Sequence, residues 1–291
     1  MSRVTPSVTK GIIFLREIRI EHTLFALPFA YVGALLAARG LPSPWALLWI
    51  TLAVLGARTA AMSANRYLDR DIDARNPRTA RRAVASGRLS PATMLWAAGA
   101  GLALLVVSAW MLNPLCVKLL PIAALGVLAY PLCKRFTWLT HFVLGAVDAL
   151  APLGAYIGVA GHVSPSALLL FAAVTFWVAG FDVIYALMDL DVDRAQRLRS
   201  LPARFGASHG RVLAVALQVL TAIALGGAGA TAGASPLYYA GVAAALAVAA
   251  YEGQLLRRAE NLFVVNERVF TANMAFSVLF MITTFAGMTV R

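Results

Sequence analysis

A succession of long apolar stretches, separated by short turn-forming segments, constrains this chain more than any other feature. Most of them approach the roughly 20 apolar residues that a helix needs to cross the hydrocarbon core of a bilayer. Backbone polar groups there must bond within their own segment, which favours helices. We therefore predict an all-α integral membrane protein, a bundle of nine transmembrane helices at residues 24–39, 44–64, 91–112, 117–132, 140–160, 166–187, 211–231, 236–252 and 270–289.

The composition agrees with a membrane protein. The chain is 60% hydrophobic and only 13% charged, whereas soluble domains carry about 25% charged residues. No linker is long enough to separate two domains, so we expect residues 1–291 to form a single membrane domain. Residues 1–23 are too polar for a secretory signal. We expect this segment to lie at the membrane interface, with a short amphipathic helix over residues 11–20.

The positive charge of the chain is concentrated on one side of the predicted membrane. The net charge of +12 could suggest a nucleic-acid partner. However, every Lys and Arg lies in the N-terminal segment or in loops on the same side, except Arg39, Arg58, Lys118 and Arg291. This is the positive-inside pattern. It predicts a cytoplasmic N-terminus, insertion in the cytoplasmic (inner) membrane and no nucleic-acid partner.

A first acidic motif follows the second predicted span. Asn65, Asp69 and Asp73 are four residues apart, which places them on one face of a helix, while Asp71 points to the other side. Like charges at this spacing destabilise a helix, and a divalent cation would reverse that penalty. Oxygen ligands suit Mg²⁺, which shares its coordination shell with substrate phosphates.

A second acidic motif continues the sixth predicted span. Asp182, Tyr185, Asp189 and Asp193 again line one helical face. Ionisable groups at membrane depth are costly and indicate a functional site, although Asp182 could be a buried acid with a structural partner and Tyr185 an interfacial aromatic. The common spacing hints at an internal duplication. We predict that the two motifs face each other and hold a diphosphate through divalent metal.

Cations complete the predicted site. Arg58 lies two helical turns deeper than Asn65 on the same face, and Lys134 and Arg135 follow the fourth span. Simple positive-inside anchoring is the alternative for the last two. Metals plus two or three cations would balance the charge of a diphosphate. The arginines beyond residue 74 are expected to be mostly anchoring charges.

Other chemistries find less support in the sequence. It has no Ser/His/Asp set, nucleophile elbow, P-loop or dinucleotide-binding turn. A cation-coupled secondary transporter remains an alternative, but its acids should lie near the membrane midplane rather than at the interface. A CDP-alcohol phosphotransferase is a weaker alternative because its Asp-Gly-x2-Ala-Arg pattern is missing.

At these residues the chain resembles the UbiA superfamily of intramembrane aromatic prenyltransferases. The family's Asn-x3-Asp-x3-Asp and Asp-x3-Asp motifs are met by Asn65, Asp69, Asp73, Asp189 and Asp193. The resemblance covers nearly the whole chain. Further family-like stretches are NPRTARR (76–82), YPLCKRFTWLTHFVLG (130–145), APLGAY (151–156), GFDVIYALMDLDVD (180–193) and SLPARFG (200–206).

Within the superfamily, the chain is similar to two groups of enzymes. One comprises the 4-hydroxybenzoate polyprenyltransferases and the other the prenyltransferases of the futalosine menaquinone route, which the runs ARTAAMSANR, NPLCVKL and KRFTWL favour. Haem, chlorophyll and archaeal lipid prenyltransferases are alternatives on the same scaffold. The family commonly has Asp directly after the motif Asn, whereas this chain has Arg66, which removes one possible outer metal contact.

The resemblance implies a Mg²⁺-dependent prenyl transfer in a central cavity that opens sideways to membrane lipids. Two Mg²⁺ ions would bridge the diphosphate of a polyprenyl donor to Asp69, Asp73, Asp189 and Asp193. Asn65 would orient the diphosphate or contribute to the metal site.

The same resemblance implies roles for the remaining candidates. Arg58 and Lys134 would contact phosphate oxygens, and Tyr130 would line the substrate site. Asp182, with Tyr185, would stabilise the allylic cation or activate the phenol of an aromatic acceptor. We further expect that Arg135 pairs with the acceptor carboxylate and that loops 74–90 and 194–210 act as lids.

Overall fold

The protein is described by a computed structural model over residues 6–19, 23–259 and 261–289, and it is entirely helical within them. Eight helices are long and apolar enough to cross a membrane: Pro44–Leu68, Pro91–Leu112, Pro114–Arg135, Thr140–Ala160, Pro165–Met188, Ala207–Ala232, Pro236–Arg257 and Leu262–Met288. The predicted all-α membrane fold is confirmed. Helix Thr23–Ala38 is apolar but has only 16 residues, so the count of nine spans stays a prediction.

The helices are numbered in chain order. They are α1 (Pro6–Glu17), α2 (Thr23–Ala38), α3 (Pro44–Leu68), α4 (Arg70–Arg75), α5 (Pro91–Leu112), α6 (Pro114–Ala129), α7 (Thr140–Ala160), α8 (Pro165–Met188), α9 (Leu190–Ala195), α10 (Leu201–Phe205), α11 (Ala207–Ala232), α12 (Pro236–Arg257) and α13 (Leu262–Thr289), and a 3-10 turn, Tyr130–Arg135, follows α6.

Serine–proline pairs begin several of the long helices. Ser43, Ser90 and Ser164 each precede a proline, and each side chain accepts a hydrogen bond from a backbone N–H of the first turn. Proline suits the first helical position because its missing N–H would have had no partner there, and the serine oxygen satisfies one of the remaining donors. These pairs account for the agreement between predicted and observed helix starts.

Small residues let the helices of the bundle approach closely. A Cβ atom added at Gly56 of α3 would lie 2.7 Å from the carbonyl oxygen of Gly101 in α5. The main apolar core is formed by α2, α7, α8, α11, α12 and α13 around the buried ring of Trp177. Close packing of this kind replaces the hydrophobic driving force that membrane helices lack.

The N-terminal helix α1 packs against protein. Ile13 and Phe14 contact a cluster that includes Val84 and Met94, while Ile12 and Leu15 are exposed. The helix expected over residues 11–20 corresponds to α1, which ends at Glu17, and its amphipathic character stays a prediction. Residues 1–5 and 20–22 of the predicted N-terminal segment lie outside the described residues, and its interfacial location stays a prediction.

Each acidic motif straddles a break between two helices. α3 gives way to α4 at Asp69, and α8 gives way to α9 at Asp189. The i, i+4 backbone hydrogen bond nevertheless continues across both breaks, from Asp73 N to Asp69 O and from Asp193 N to Asp189 O, each 2.7 Å. The motif residues therefore stay on one face, as their spacing predicts.

Candidate active site

A polar cavity of about 330 Å³ lies between the C-terminal ends of α3 and α8. Both acidic motifs line it, together with the 3-10 turn after α6. The structure thus brings together every predicted site residue except Arg135. The predicted residues in the lining are Arg58, Asn65, Asp69, Asp73, Tyr130, Lys134, Asp182, Tyr185, Asp189 and Asp193.

Asp69 is the most enclosed acid of the first motif, with only 1% of its surface exposed. Its Oδ2 accepts hydrogen bonds from Lys134 Nζ at 2.6 Å and from Asn65 Nδ2 at 2.9 Å. Its buried Oδ1 has no hydrogen-bond partner. Burial raises the pKa of Asp69, and the charge of Lys134 opposes that shift. Arg135 Nη2 lies 3.8 Å from Asp69 Oδ1.

Asp73 is held by an arginine from the loop that follows α4. Arg82 Nη1 lies 2.8 Å from both carboxylate oxygens of Asp73. The carboxylate is buried, so this contact is shielded from the solvent screening that weakens surface ion pairs. Arg82 is therefore part of the site.

The same loop also binds the second acidic motif. Both carboxylate oxygens of Asp189 accept hydrogen bonds from Arg78, with Nε at 2.8 Å from Oδ1. Asn76 Nδ2 donates to the same Oδ1 at 3.1 Å. The expectation that arginines beyond residue 74 are mostly anchoring charges is wrong for Arg78 and Arg82, because the loop folds back over the acids. The stretch NPRTARR was the available sequence signal.

Asp193, the last acid of the second motif, is half-buried. Burial raises its pKa to about 6, and an interaction with the Ser200 side chain partly opposes the shift. Ser200 also caps the short helix α10. The loop after α9 therefore closes this end of the cavity.

Asp182 is bound by a histidine that the sequence pattern did not single out. His141 Nδ1 lies 2.6 Å from Asp182 Oδ2, and the backbone N–H of Leu201 donates to His141 Nε2 at 3.3 Å. Because an N–H can only donate, Nε2 is the acceptor, and Nδ1 carries the proton that is donated to Asp182. The pairing orients the Asp182 carboxyl group in the cavity. No local spacing signals it, since α7 and α8 meet only on folding.

Arg58 lies where the polar cavity meets an apolar one. Its Nη1 is 3.7 Å from Asp148 Oδ1, and both residues line both cavities. The apolar cavity has a volume of about 350 Å³, and α3, α5, α6 and α7 form most of its wall from alanine, leucine and other apolar side chains. A ligand with a charged head and a hydrocarbon chain matches this pair of cavities.

Residues 26–286 match the UbiA prenyltransferase family. The chain belongs to this family. It is 34% identical over 231 residues to the 4-hydroxybenzoate octaprenyltransferase of Alkalilimnicola ehrlichii, covering 77% of this chain and 76% of the relative. A protein of the same name from Thiobacillus denitrificans is 36% identical over 224 residues, covering 76% and 75%. The protein is thus a prenyltransferase with a multi-pass membrane fold.

Solved structures of UbiA homologues share the fold. The apo homologue from Aeropyrum pernix K1 is 31% identical, with a TM-score of 0.83 over 92% of this chain and 98% of that one. A homologue from Archaeoglobus fulgidus bound to GPP and Mg²⁺ is 20% identical, with a TM-score of 0.74 over 96% and 100%. At 20% identity, the similarity to the Archaeoglobus fulgidus homologue shows a shared fold and nothing more.

Two predicted site residues of this UbiA-family prenyltransferase have contacts that differ from those expected. Arg135 lies at the rim, with its side chain 43% exposed, and it donates to the carbonyl oxygen of Leu68 at 2.6 Å. Asn65 Oδ1, the atom that would bind a metal, accepts a hydrogen bond from Arg66 Nη1 at 2.7 Å. Neither contact was foreseen from the motif.

The donor set of the prenyltransferase fits Mg²⁺. Six aspartates line the cavity, among them the four predicted metal ligands Asp69, Asp73, Asp189 and Asp193. Carboxylate oxygen is the ligand that hard cations prefer. Asp69 Oδ1 is buried and accepts no hydrogen bond, with Arg135 Nη2 3.8 Å away, so it could accept a metal ion. Within residues 6–19, 23–259 and 261–289, no three acidic, histidine or cysteine side chains converge as a ready metal cluster. Metal binding would therefore require some carboxylates to leave their Lys or Arg partners.

Proposed function

We propose that this chain, as a single membrane domain, transfers a polyprenyl group from polyprenyl diphosphate to a ring carbon of an aromatic hydroxy acid in ubiquinone or menaquinone biosynthesis. The observation that carries the proposal is that two adjacent cavities share Arg58 and Asp148 in their walls. One is lined by both acidic motifs and their cations, and the other is apolar. This arrangement suits a diphosphate attached to an isoprenoid chain.

The diphosphate would be received by exchange of ion-pair partners. Lys134, Arg78 and Arg82 are bound to Asp69, Asp189 and Asp73. In the proposal these cations turn to phosphate oxygens when the donor enters, and the carboxylates, with Asp193, hold two Mg²⁺ ions. When bound, Mg²⁺ supplies charge neutralisation for the leaving diphosphate. Partner exchange keeps every buried charge compensated, since an unpaired one would be costly.

Ionisation would take place at the boundary between the cavities. Arg58 is positioned there to contact the diphosphate where it joins the prenyl chain. As the allylic C1–O bond breaks, preorganised cations stabilise the negative charge that develops on the leaving group. The electron-rich ring carbon of the acceptor then bonds to C1. The hydrogen on that carbon leaves as a proton, which the departing diphosphate or a nearby carboxylate takes up, and the ring regains its aromaticity. Exclusion of water from the cavity would limit the competing hydrolysis.

Asp182 is the residue best placed to serve the acceptor. Its carboxylate is oriented by His141 and lines the cavity with Tyr185 and Tyr130. In the proposal Asp182, with Tyr185, stabilises the allylic cation or takes up the phenol proton, a transfer that requires hydrogen-bond reach. Arg135, at the rim, meets the acceptor carboxylate, for which the guanidinium fork is well suited.

Two acceptors deserve direct comparison. The names of the relatives favour 4-hydroxybenzoate, whereas the short runs noted in the sequence favour 1,4-dihydroxy-6-naphthoate. Membranes that contain the protein are incubated with labelled polyprenyl diphosphate and each acceptor separately. The acceptor that becomes lipid-soluble is the substrate. The positive loops support an active site that faces the cytoplasm from the inner membrane.

The proposed reaction is tested by removing one acid from each motif. Asp69→Ala and Asp189→Ala should each lower prenyl transfer in Mg²⁺-containing membranes by about 100-fold or more, the range for losing a group that stabilises developing charge. Asp71→Asn is the matched control, because Asp71 lies off the motif face with its side chain 73% exposed. Wild-type rates in both alanine variants would overturn the proposal.

A further inference from the structure

Arg66 and Glu17 form a buried ion pair next to the first acidic motif. Their side chains are only 5% and 7% exposed, and Arg66 Nε lies 3.7 Å from Glu17 Oε1. Arg66 Nε also donates to the backbone oxygen of Glu17 at 3.1 Å. Truncating one partner of such a pair leaves a buried charge unpaired, which is strongly destabilising. The pair therefore binds the C-terminal end of α1 to the end of α3.

The Glu17 carboxylate also holds the loop that supplies arginines to the acids. Its Oε2 accepts a hydrogen bond from the backbone N–H of Ala83 at 2.7 Å, and Oε1 faces the N–H of Val84 at 3.5 Å. Ala83 directly follows Arg82, which binds Asp73. One carboxylate on α1 thus connects three elements: the N-terminal helix, the end of α3 and the arginine-bearing loop.

The contact of Arg66 with Asn65 fixes how the Asn65 amide is oriented. A guanidinium has only donors, so the amide atom facing Arg66 Nη1 at 2.7 Å must be the oxygen. The Asp69 carboxylate accepts, so the atom facing it at 2.9 Å is the nitrogen. Both contacts require the same orientation. Asn65 lines the polar cavity. Its second N–H is left to donate, while the remaining lone pair of its oxygen lies beside the positively charged guanidinium of Arg66.

We propose that Arg66 and Glu17 are positioning residues that hold Asn65 as a hydrogen-bond donor to the diphosphate, which makes α1 part of the donor-binding site. The inference rests on the proposed function. It assigns Asn65 to a phosphate oxygen and not to the metal, because the amide oxygen faces the positive Arg66 guanidinium, which repels a metal ion, and the free N–H can only donate. The orientation of the Asn65 amide depends on having Arg66 where the family commonly has Asp. A carboxylate at that position could not donate to the Asn65 oxygen.

Asn65→Asp is the most discriminating variant. It keeps the size of the side chain and its oxygen but replaces the NH2 donor by a second, negatively charged oxygen. Binding is measured with a non-reacting probe, Mg²⁺ plus inorganic pyrophosphate, by calorimetry on purified protein. The donor role predicts affinity for the probe about 10- to 100-fold weaker than wild type, the usual effect of disturbing a group around a metal site. Affinity equal to or tighter than wild type would mean that Asn65 is a metal ligand, and would overturn the inference.

Arg66→Lys and Glu17→Gln test the positioning chain. Lysine keeps the charge opposite Glu17 but lacks the planar fork that reaches Glu17 and Asn65 together. Glutamine keeps an oxygen for the Ala83 N–H but removes the charge. Both should raise the KM for polyprenyl diphosphate about 10-fold or more while the kcat changes less. Asp71→Asn is the control, with an unchanged KM.

The outcomes separate this inference from the proposed function. Folded Arg66→Lys with wild-type KM and wild-type pyrophosphate affinity would overturn the inference, even if Asp69→Ala is inactive. A fully active Asp69→Ala would instead overturn the function itself. Should Glu17→Gln fail to fold, Arg66→Lys and Asn65→Asp still decide, because neither removes the charge of the buried pair.

Discussion

The first and second acidic motifs can be compared atom by atom. The junction residues Asp69 and Asp189 have nearly equal backbone angles, φ −96° with ψ 1° and φ −101° with ψ 6°. Their cations differ in origin. Asp69 is bound by Lys134 of the 3-10 turn. Asp73 and Asp189 are bound by Arg82 and Arg78, which both lie in the loop after α4.

The duplication of the acids therefore does not extend to their partners. The loop after α4 supplies cations to both motifs. The loop after α9 contributes Leu201, whose N–H fixes the tautomer of His141 and so the orientation of Asp182. We propose that the loop after α4 serves the diphosphate. The loop after α9 would serve the acceptor end of the cavity through Leu201, although its Ser200 also contacts Asp193.

The largest effect outside the acids is expected at the arginines that link the motifs. Arg78→Ala and Arg82→Ala should each raise the KM for polyprenyl diphosphate about 10- to 100-fold, the range for groups that orient a metal site. Steady-state kinetics in membranes measures this. Arg81→Ala is the matched control, because Arg81 is an exposed neighbour in the same loop. Equal kinetics in all three variants would contradict the role given to the loop.

A smaller effect of a different kind is expected at the acceptor end. His141→Ala removes the hydrogen bond that orients Asp182. We expect the kcat to fall about 10-fold, as for other residues that orient a reacting group, with little change in the KM for the diphosphate. Rates with saturating donor and varied acceptor test this. A change confined to the donor KM would refute the division between the loops.

The helical periodicity of the sequence predicted which acids share a face, but not which side chains pair with them. The face shared by Asn65, Asp69 and Asp73 was predictable because the i, i+4 hydrogen bonds continue through the helix break. Arg78 and His141 were missed because their partners lie 111 and 41 residues away. Those contacts depend on how the loop and helices pack, which spacing along one helix does not encode.

The helix boundaries were likewise predictable only where a local sequence signal marks them. Starts marked by Ser–Pro pairs, such as Pro91 of α5, were predicted to within one residue. The start of α13 was placed at residue 270 instead of Leu262, because Asn266, Glu267 and Arg268 interrupt its apolar residues.

The smallest effects are expected at the acids that point away from the cavity. Asp71 and Asp191 occupy corresponding positions of the two motifs, and both are exposed. Asp71→Asn and Asp191→Asn should change prenyl transfer by less than about twofold, since exposed charges contribute within about 1 kcal/mol. Assays of both in parallel test whether the off-face acids are equivalent. A tenfold loss in either would show that the face assignment fails in that motif.

The central claim is that the two motifs form one diphosphate site. It is tested most directly by calorimetric titration of Mg²⁺ plus pyrophosphate into the wild type, Asp69→Ala, Asp189→Ala and the double variant. Groups that act on one ligand give non-additive effects, whereas independent sites give additive ones. We predict that the double variant binds no more weakly than the weaker single variant. Strictly additive losses would mean two separate sites and would contradict the account.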